Sequence, residues 1–196
     1  MKKTYISANE LLLDSYRLGI EILNSGFKPD YIVGIWRGGT PVGIAVQEIL
    51  HYLGVESDHI AIRTSSYYGI DQQEKNVKVH GLEYILNNIN YEDNLLLVDD
   101  VYDSGRSVQA VIATLNKKAR RNTPHDIRIA VPWYKPNRNV TGIEPEYFLH
   151  STDDWLVFPH ELHGLTLEEV YENKPGLKDV MKHYKGGLQT LENDKK

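Results

Sequence analysis

The chain has 196 residues, with 22 Lys+Arg against 27 Asp+Glu and a formal charge of −5, a length that suits one domain with a substantial core and at most a small appendage. Hydrophobic residues at 41% and charged residues at 25% exclude a disordered chain. The lack of cysteine excludes disulfides, thiolate metal sites and a cysteine nucleophile.

In chain order, Ser7 and Glu10 have capping-box spacing ahead of a helical pattern of Leu12, Leu13, Tyr16, Ile20 and Leu23, which Gly26 closes. Residues 31–35 read as a buried strand. Thr40 as N-cap and Pro41 at the first helical position open a second helix, ended by Gly54. Ile60 and Ile62 mark another strand. The polar segment 63–80 has no helical period and reads as a loop, with residues 81–88 helical after it. Residues 95–98 form an apolar strand, followed by a turn and a helix to about residue 120. Residues 127–131, 147–149 and 155–158 are further strands. Such alternation predicts an α/β fold, a mainly parallel sheet with helices on both faces. Thr166 and Glu169 cap one more helix, and residues 185–196 fray.

The longest charge-free stretches, residues 38–47 and 107–116, fall short of the roughly 20 apolar residues that span a bilayer. Asn9, Glu10 and Asp14 interrupt any signal-peptide core. An acidic chain also lacks the basic face that nucleic acid requires. The expectation is a cytoplasmic protein with neither membrane nor nucleic acid as partner.

Ligands of open α/β sheets bind beyond the carboxyl ends of the strands, and two such ends are unusual. Residues 95–107 read LLLVDDVYDSGRS. The strand ends in Asp99 and Asp100, then comes Asp103, then a turn of Ser104, Gly105, Arg106 and Ser107 into a helix. Backbone amides from 104 to 107, a helix N-terminus and two hydroxyls suit a phosphate, and Gly105 allows close approach. Carboxylates beside a phosphate serve hydroxyls or a metal ion, so the ligand is a sugar phosphate. The plainer alternative is a solvated strand end with Ser107 as N-cap. The second end, IVGIWRGGTPVG over residues 32–43, offers Arg37 as a bidentate fork and Gly38 and Gly39 as a close-fitting diphosphate loop.

Together these strings resemble the type I phosphoribosyltransferase family: the first its phosphoribosyl pyrophosphate (PRPP) signature with serines for threonines, the second its pyrophosphate loop. The resemblance covers residues 5–161 and implies a PRPP-binding core over 5–134 with a mobile loop at about 64–80. It also implies a small hood subdomain over 135–163, leaving 164–196 as a C-terminal extension. Ser66 and Tyr67 resemble the family's mobile-loop Ser-Tyr pair, and a non-proline cis peptide is expected near Trp36–Arg37. Lys135 followed about twenty residues later by WLVFPHE at 155–161 resembles the hood of bacterial 6-oxopurine enzymes, of the hypoxanthine and xanthine–guanine type. The resemblance gives Lys135 the purine oxo group, Trp155 the stacking face and Leu156 backbone contacts to the base. Asp99 and Asp100 take the ribose hydroxyls and Mg2+, Glu161 stands where relatives carry a metal-binding aspartate, and Asp103 and Arg37 are the catalytic candidates. A homo-oligomer, dimer or tetramer, is implied as well. The alternatives are a PRPP- or nucleotide-sensing regulator on the same fold, or transfer to another base. His160 and His163 have metal-ligand spacing without a third ligand. The basic run 117–121 complements a helix C-terminus.

Overall fold

The computed structural model describes residues 2–68 and 75–184. Its centre is a mainly parallel sheet built from β2 (Tyr31–Trp36), β3 (Asp58–Tyr68), β4 (Lys75–His80), β5 (Asn94–Val98), β6 (Val101–Tyr102), β7 (Asp126–Tyr134) and β8 (Tyr147–Ser151). The order runs β4-β3-β2-β5-β7, with only β3–β4 antiparallel. β6 continues along the β7 edge that β5 has used, and β8 pairs with the opposite edge. A second, two-stranded parallel sheet joins β1 (Lys3–Tyr5) to β9 (Trp155–Val157). The N-terminal strand, unforeseen in the sequence, therefore pairs within the segment expected to form the hood.

Strand periodicity explains the helices on both faces. Successive side chains of β5 point to opposite sides. Leu96 and Val98 join one buried cluster with α1 (Ala8–Asn24) and α2 (Gly39–Tyr52). Leu95 and Leu97 join another with α3 (Glu83–Asn88) and α4 (Arg106–Ala119). Both halves of the Ser7–Glu10 capping box form at the start of α1, at 3.1 and 2.8 Å. The same motif, Thr166 with Glu169, opens α5 (Leu167–Asn173), and α6 (Leu177–Met181) follows.

Two local expectations are corrected. The segment read as a loop over 63–80 is largely an antiparallel strand pair, in register from Arg63↔His80 to Tyr68↔Lys75. Ser66 and Tyr67 are strand positions, while residues 69–74 of the anticipated mobile loop lie outside the described residues. At the outer side of the sheet, residues 63–65 and 77–80 are exposed or half-buried, in keeping with a polar sequence; Val79 packs against the core. The second helix starts at Gly39, before Thr40, because Gly38 already has helical backbone angles and needs no side-chain cap.

Candidate active site

The parallel strands deliver three loops to one edge of the sheet. β5 ends at Val98, so Asp99 and Asp100 emerge there, held by the Asp99 N–H donating to Ala130 O (3.2 Å) and the Asp100 N–H donating to Asp99 Oδ1 (3.0 Å). Asp100 is buried. Burial, and then the neighbouring Asp100 charge, push the Asp99 carboxyl well above the usual carboxylate range, against the pull of the Asp100 and Gly39 amides.

β2 ends in a cis peptide between Trp36 and Arg37, as expected. Gly38 and Gly39 follow, both buried, and they touch the acidic strand end directly. A Cβ on Gly38 would run into the Asp100 carboxylate, and one on Gly39 into Val98 O and within 2.8 Å of Asp99 Cα. Glycine here is a requirement of space. Gly39→Ala is expected to cost about 1–3 kcal/mol through overpacking, seen as a fall in melting temperature; an unchanged transition would show that the two loops do not meet as described.

The third contact comes from strand register. β6 pairs Tyr102 with Tyr134 of β7, so the residues after them, Asp103 and Lys135, emerge side by side. The Lys135 N–H donates to Tyr102 O (2.9 Å), and Lys135 Nζ, 6% exposed in its side chain, lies 3.6 Å from Asp103 Oδ2. Gly105 takes φ +78° at the N-cap of α4, pressed against Tyr102 and Thr141, where a Cβ would sit 2.6 Å from both hydroxyls. The first amides of α4 lack partners within the helix and face the same edge. Ser107 Oγ accepts a long hydrogen bond from Thr64 Oγ1 of β3 (3.5 Å).

The phosphoribosyl transferase domain family matches residues 5–165. The chain belongs to that family. Solved structures with the same fold include a purine phosphoribosyltransferase from Pyrococcus horikoshii (24% identity, 84% of this chain and 98% of that one, TM-score 0.66). A xanthine-guanine-hypoxanthine phosphoribosyltransferase of Helicobacter pylori aligns at 21% identity over 92% of this chain and 99% of that one (TM-score 0.64). A hypothetical protein from Neisseria gonorrhoeae with bound ppGpp aligns at 21% identity over 88% and 96% (TM-score 0.70). No curated protein sequence matches the chain. Among the described residues no helix is long and apolar enough to cross a membrane.

Within this phosphoribosyltransferase fold, the structure gathers Arg37, Gly38, Gly39, Asp99, Asp100, Asp103, Ser104, Gly105, Arg106, Ser107 and Lys135 at one sheet edge. Trp155, half exposed, opens β9 beside a cavity of about 340 Å³ lined by Lys3, Val157, Glu161, His163, Gly164 and Leu165. Lys135 does not line that cavity. Its turn reaches the start of the hood strand instead, through Asn137 Nδ2 donating to Asp153 Oδ2 (2.7 Å). The Leu156 side chain is buried in the core beside α1 and α2. Glu161 does not join the acidic pair: Glu161 Oε2 accepts the Phe158 N–H (3.2 Å) and closes its own turn.

Two contacts went unread in the sequence. His160 places Nε2 3.2 Å from Asp100 Oδ2, its ring stacked on Phe158 at 5.7 Å. Nothing local marks that contact, which the tertiary fold makes. Arg138 sets Nε 2.9 Å from Asp103 Oδ1, and its signal was present as a cation three residues after Lys135. The extension beyond residue 165 backs the hood. Glu169 accepts from Lys3 Nζ (2.5 Å) and from Tyr5 Oη (3.3 Å). Lys174 Nζ donates to Phe158 O (2.5 Å), and burial lowers the Lys174 ammonium from its ordinary range.

The donor set is compatible with magnesium. Among the described residues no group of three or more His, Cys, Asp or Glu forms a cage, and Mg2+ characteristically uses one or two carboxylates plus substrate phosphates. The adjacent Asp99 and Asp100 would supply those hard oxygens, and a divalent cation would relieve their mutual repulsion.

Proposed function

We propose that the chain transfers 5-phosphoribosyl from PRPP to a 6-oxopurine, releasing pyrophosphate in purine salvage. The observation that supports this reading is the Lys135–Asp103 pair, a cationic donor and an anionic acceptor 3.6 Å apart. A 6-oxopurine presents its oxo acceptor and the N7–H donor along one edge at comparable spacing. Lys135 donates to the oxygen and Asp103 accepts from, or removes, the N7 proton. The purine nitrogen forms a bond to the ribose carbon as the bond to the pyrophosphate oxygen breaks, and the ring oxygen shares the positive charge between the two events. Asp99 and Asp100 hold the ribose hydroxyls. The α4 turn from Ser104 to Ser107 holds the 5-phosphate, and Arg37 with the Gly38 and Gly39 amides holds the departing diphosphate. Bound Mg2+ supplies Lewis-acid charge on that diphosphate.

Adenine carries an amino donor where Lys135 also donates, so the buried ammonium would face a second donor in place of an acceptor; discrimination of about 10⁴-fold against adenine is expected. The test is pyrophosphate release from PRPP and Mg2+ with hypoxanthine, guanine, xanthine, adenine, uracil and orotate. Turnover with 6-oxopurines and little with adenine supports the reading, and equal use of adenine removes the role given to Lys135. Turnover confined to a pyrimidine keeps the PRPP site and discards the purine contacts. The second reading, a nucleotide sensor on the same fold, draws on the Neisseria neighbour with bound ppGpp. Tight ppGpp binding without turnover of any base would favour it.

A further inference from the structure

Arg138 enters the site by a local geometric route. Pro136–Arg138 is a 3-10 turn with Lys135 at its N-cap, and the Arg138 N–H donates to Lys135 O (3.0 Å). At three residues per turn, positions i and i+3 eclipse one another, so both cations face the same carboxylate from one side of the turn. They divide its oxygens. Lys135 Nζ stands 3.6 Å from Oδ2, whereas Arg138 Nε forms an ion pair with Oδ1 at 2.9 Å.

The turn itself is pinned. Asn139 Nδ2 donates to Ile143 O (2.8 Å) and Tyr134 Oη (3.1 Å), Asn139 Oδ1 accepts the Thr141 N–H (3.0 Å), and the Val140 N–H donates to Ser104 O of the phosphate turn (3.2 Å). The Arg138 side chain is 45% exposed, so removing it leaves no buried cavity or orphaned charge.

We propose that Arg138 is a positioning residue for Asp103: it occupies Oδ1 and thereby aims Oδ2 at the N7 edge of the incoming base, leaving the Lys135 ammonium for the oxo group. The inference rests on the reading of Asp103 as the group that meets N7–H. Arg138 touches the carboxylate and not the reacting atoms, so its effect is transmitted entirely through Asp103.

The test is a double-mutant cycle on the full chain with PRPP, Mg2+ and the best 6-oxopurine. Arg138→Gln lowers kcat by about 10- to 100-fold, the scale of a small misplacement of a reacting group. The KM for PRPP and the melting temperature stay at wild-type values. In the Asp103→Asn background, adding Arg138→Gln causes no further loss, because the two residues act as one unit. Wild-type kcat for Arg138→Gln, or an equal loss in both backgrounds, overturns the inference while the transferase reading stands. A wild-type chain that releases pyrophosphate with no base overturns the transferase reading, and this inference with it.

Discussion

Asp103→Asn lowers kcat by about 10²–10⁴-fold, the range lost when a positioned acid–base group is removed, and leaves PRPP binding intact. With the asparagine oxygen kept toward Arg138, the amide nitrogen points toward Lys135 and N7–H. A donor meets donors where an acceptor stood, 3.6 Å from an ammonium. PRPP keeps its contacts, because the acidic pair and the α4 turn are untouched. Steady-state kinetics with calorimetric titration of PRPP separate the two effects. Turnover at the wild-type rate would remove Asp103 from the reaction.

Asp99→Asn has the second large effect, and it carries opposite signs for stability and for binding. Burial and Asp100 raise the Asp99 carboxyl in the folded chain. The folded state therefore binds more protons than the unfolded one between the ordinary aspartate value and the raised one, and stability falls as pH climbs through that interval. Asparagine has no proton to lose, and its oxygen still accepts from the Asp100 N–H. The ligand-free variant is expected to melt above wild type at neutral pH, with the gap closing toward about pH 4, near the unfolded aspartate value. Its affinity for PRPP falls by about 10²-fold with the loss of charged hydrogen bonds to ribose. Melting curves across pH check the first expectation; a variant that melts below wild type at neutral pH contradicts it. The expected result would mean that the acidic pair is held at a cost to the empty fold, a common trade at binding sites.

Legibility in the sequence followed contiguity. The acidic strand end, the small-residue turn and the Arg-Gly-Gly loop each lie within one short stretch, so their chemistry was visible before any fold was known. The alternation of β5 between two cores was likewise carried by four consecutive apolar residues. What was hidden depends on long-range closure. His160 meets Asp100 only once the hood has folded back over the sheet. The β3–β4 pair was masked because adjacent like residues at 65–68 blur the two-residue alternation that marks a strand. β1 has three residues and a single pairing partner, too little pattern to register. Arg138 is the intermediate case: its spacing from Lys135 was on view, but only the 3-10 turn gives that spacing a direction.

The pairing of β1 with β9 also sets an order of assembly. Thr4 and its partner Asp154 lie 150 positions apart, whereas β2, β5 and α4 all lie within residues 31–119. β1 must wait for β9, and closing so long a loop is slow. The loops that follow β2 and β5 are then expected to form before β1 and β9 pair.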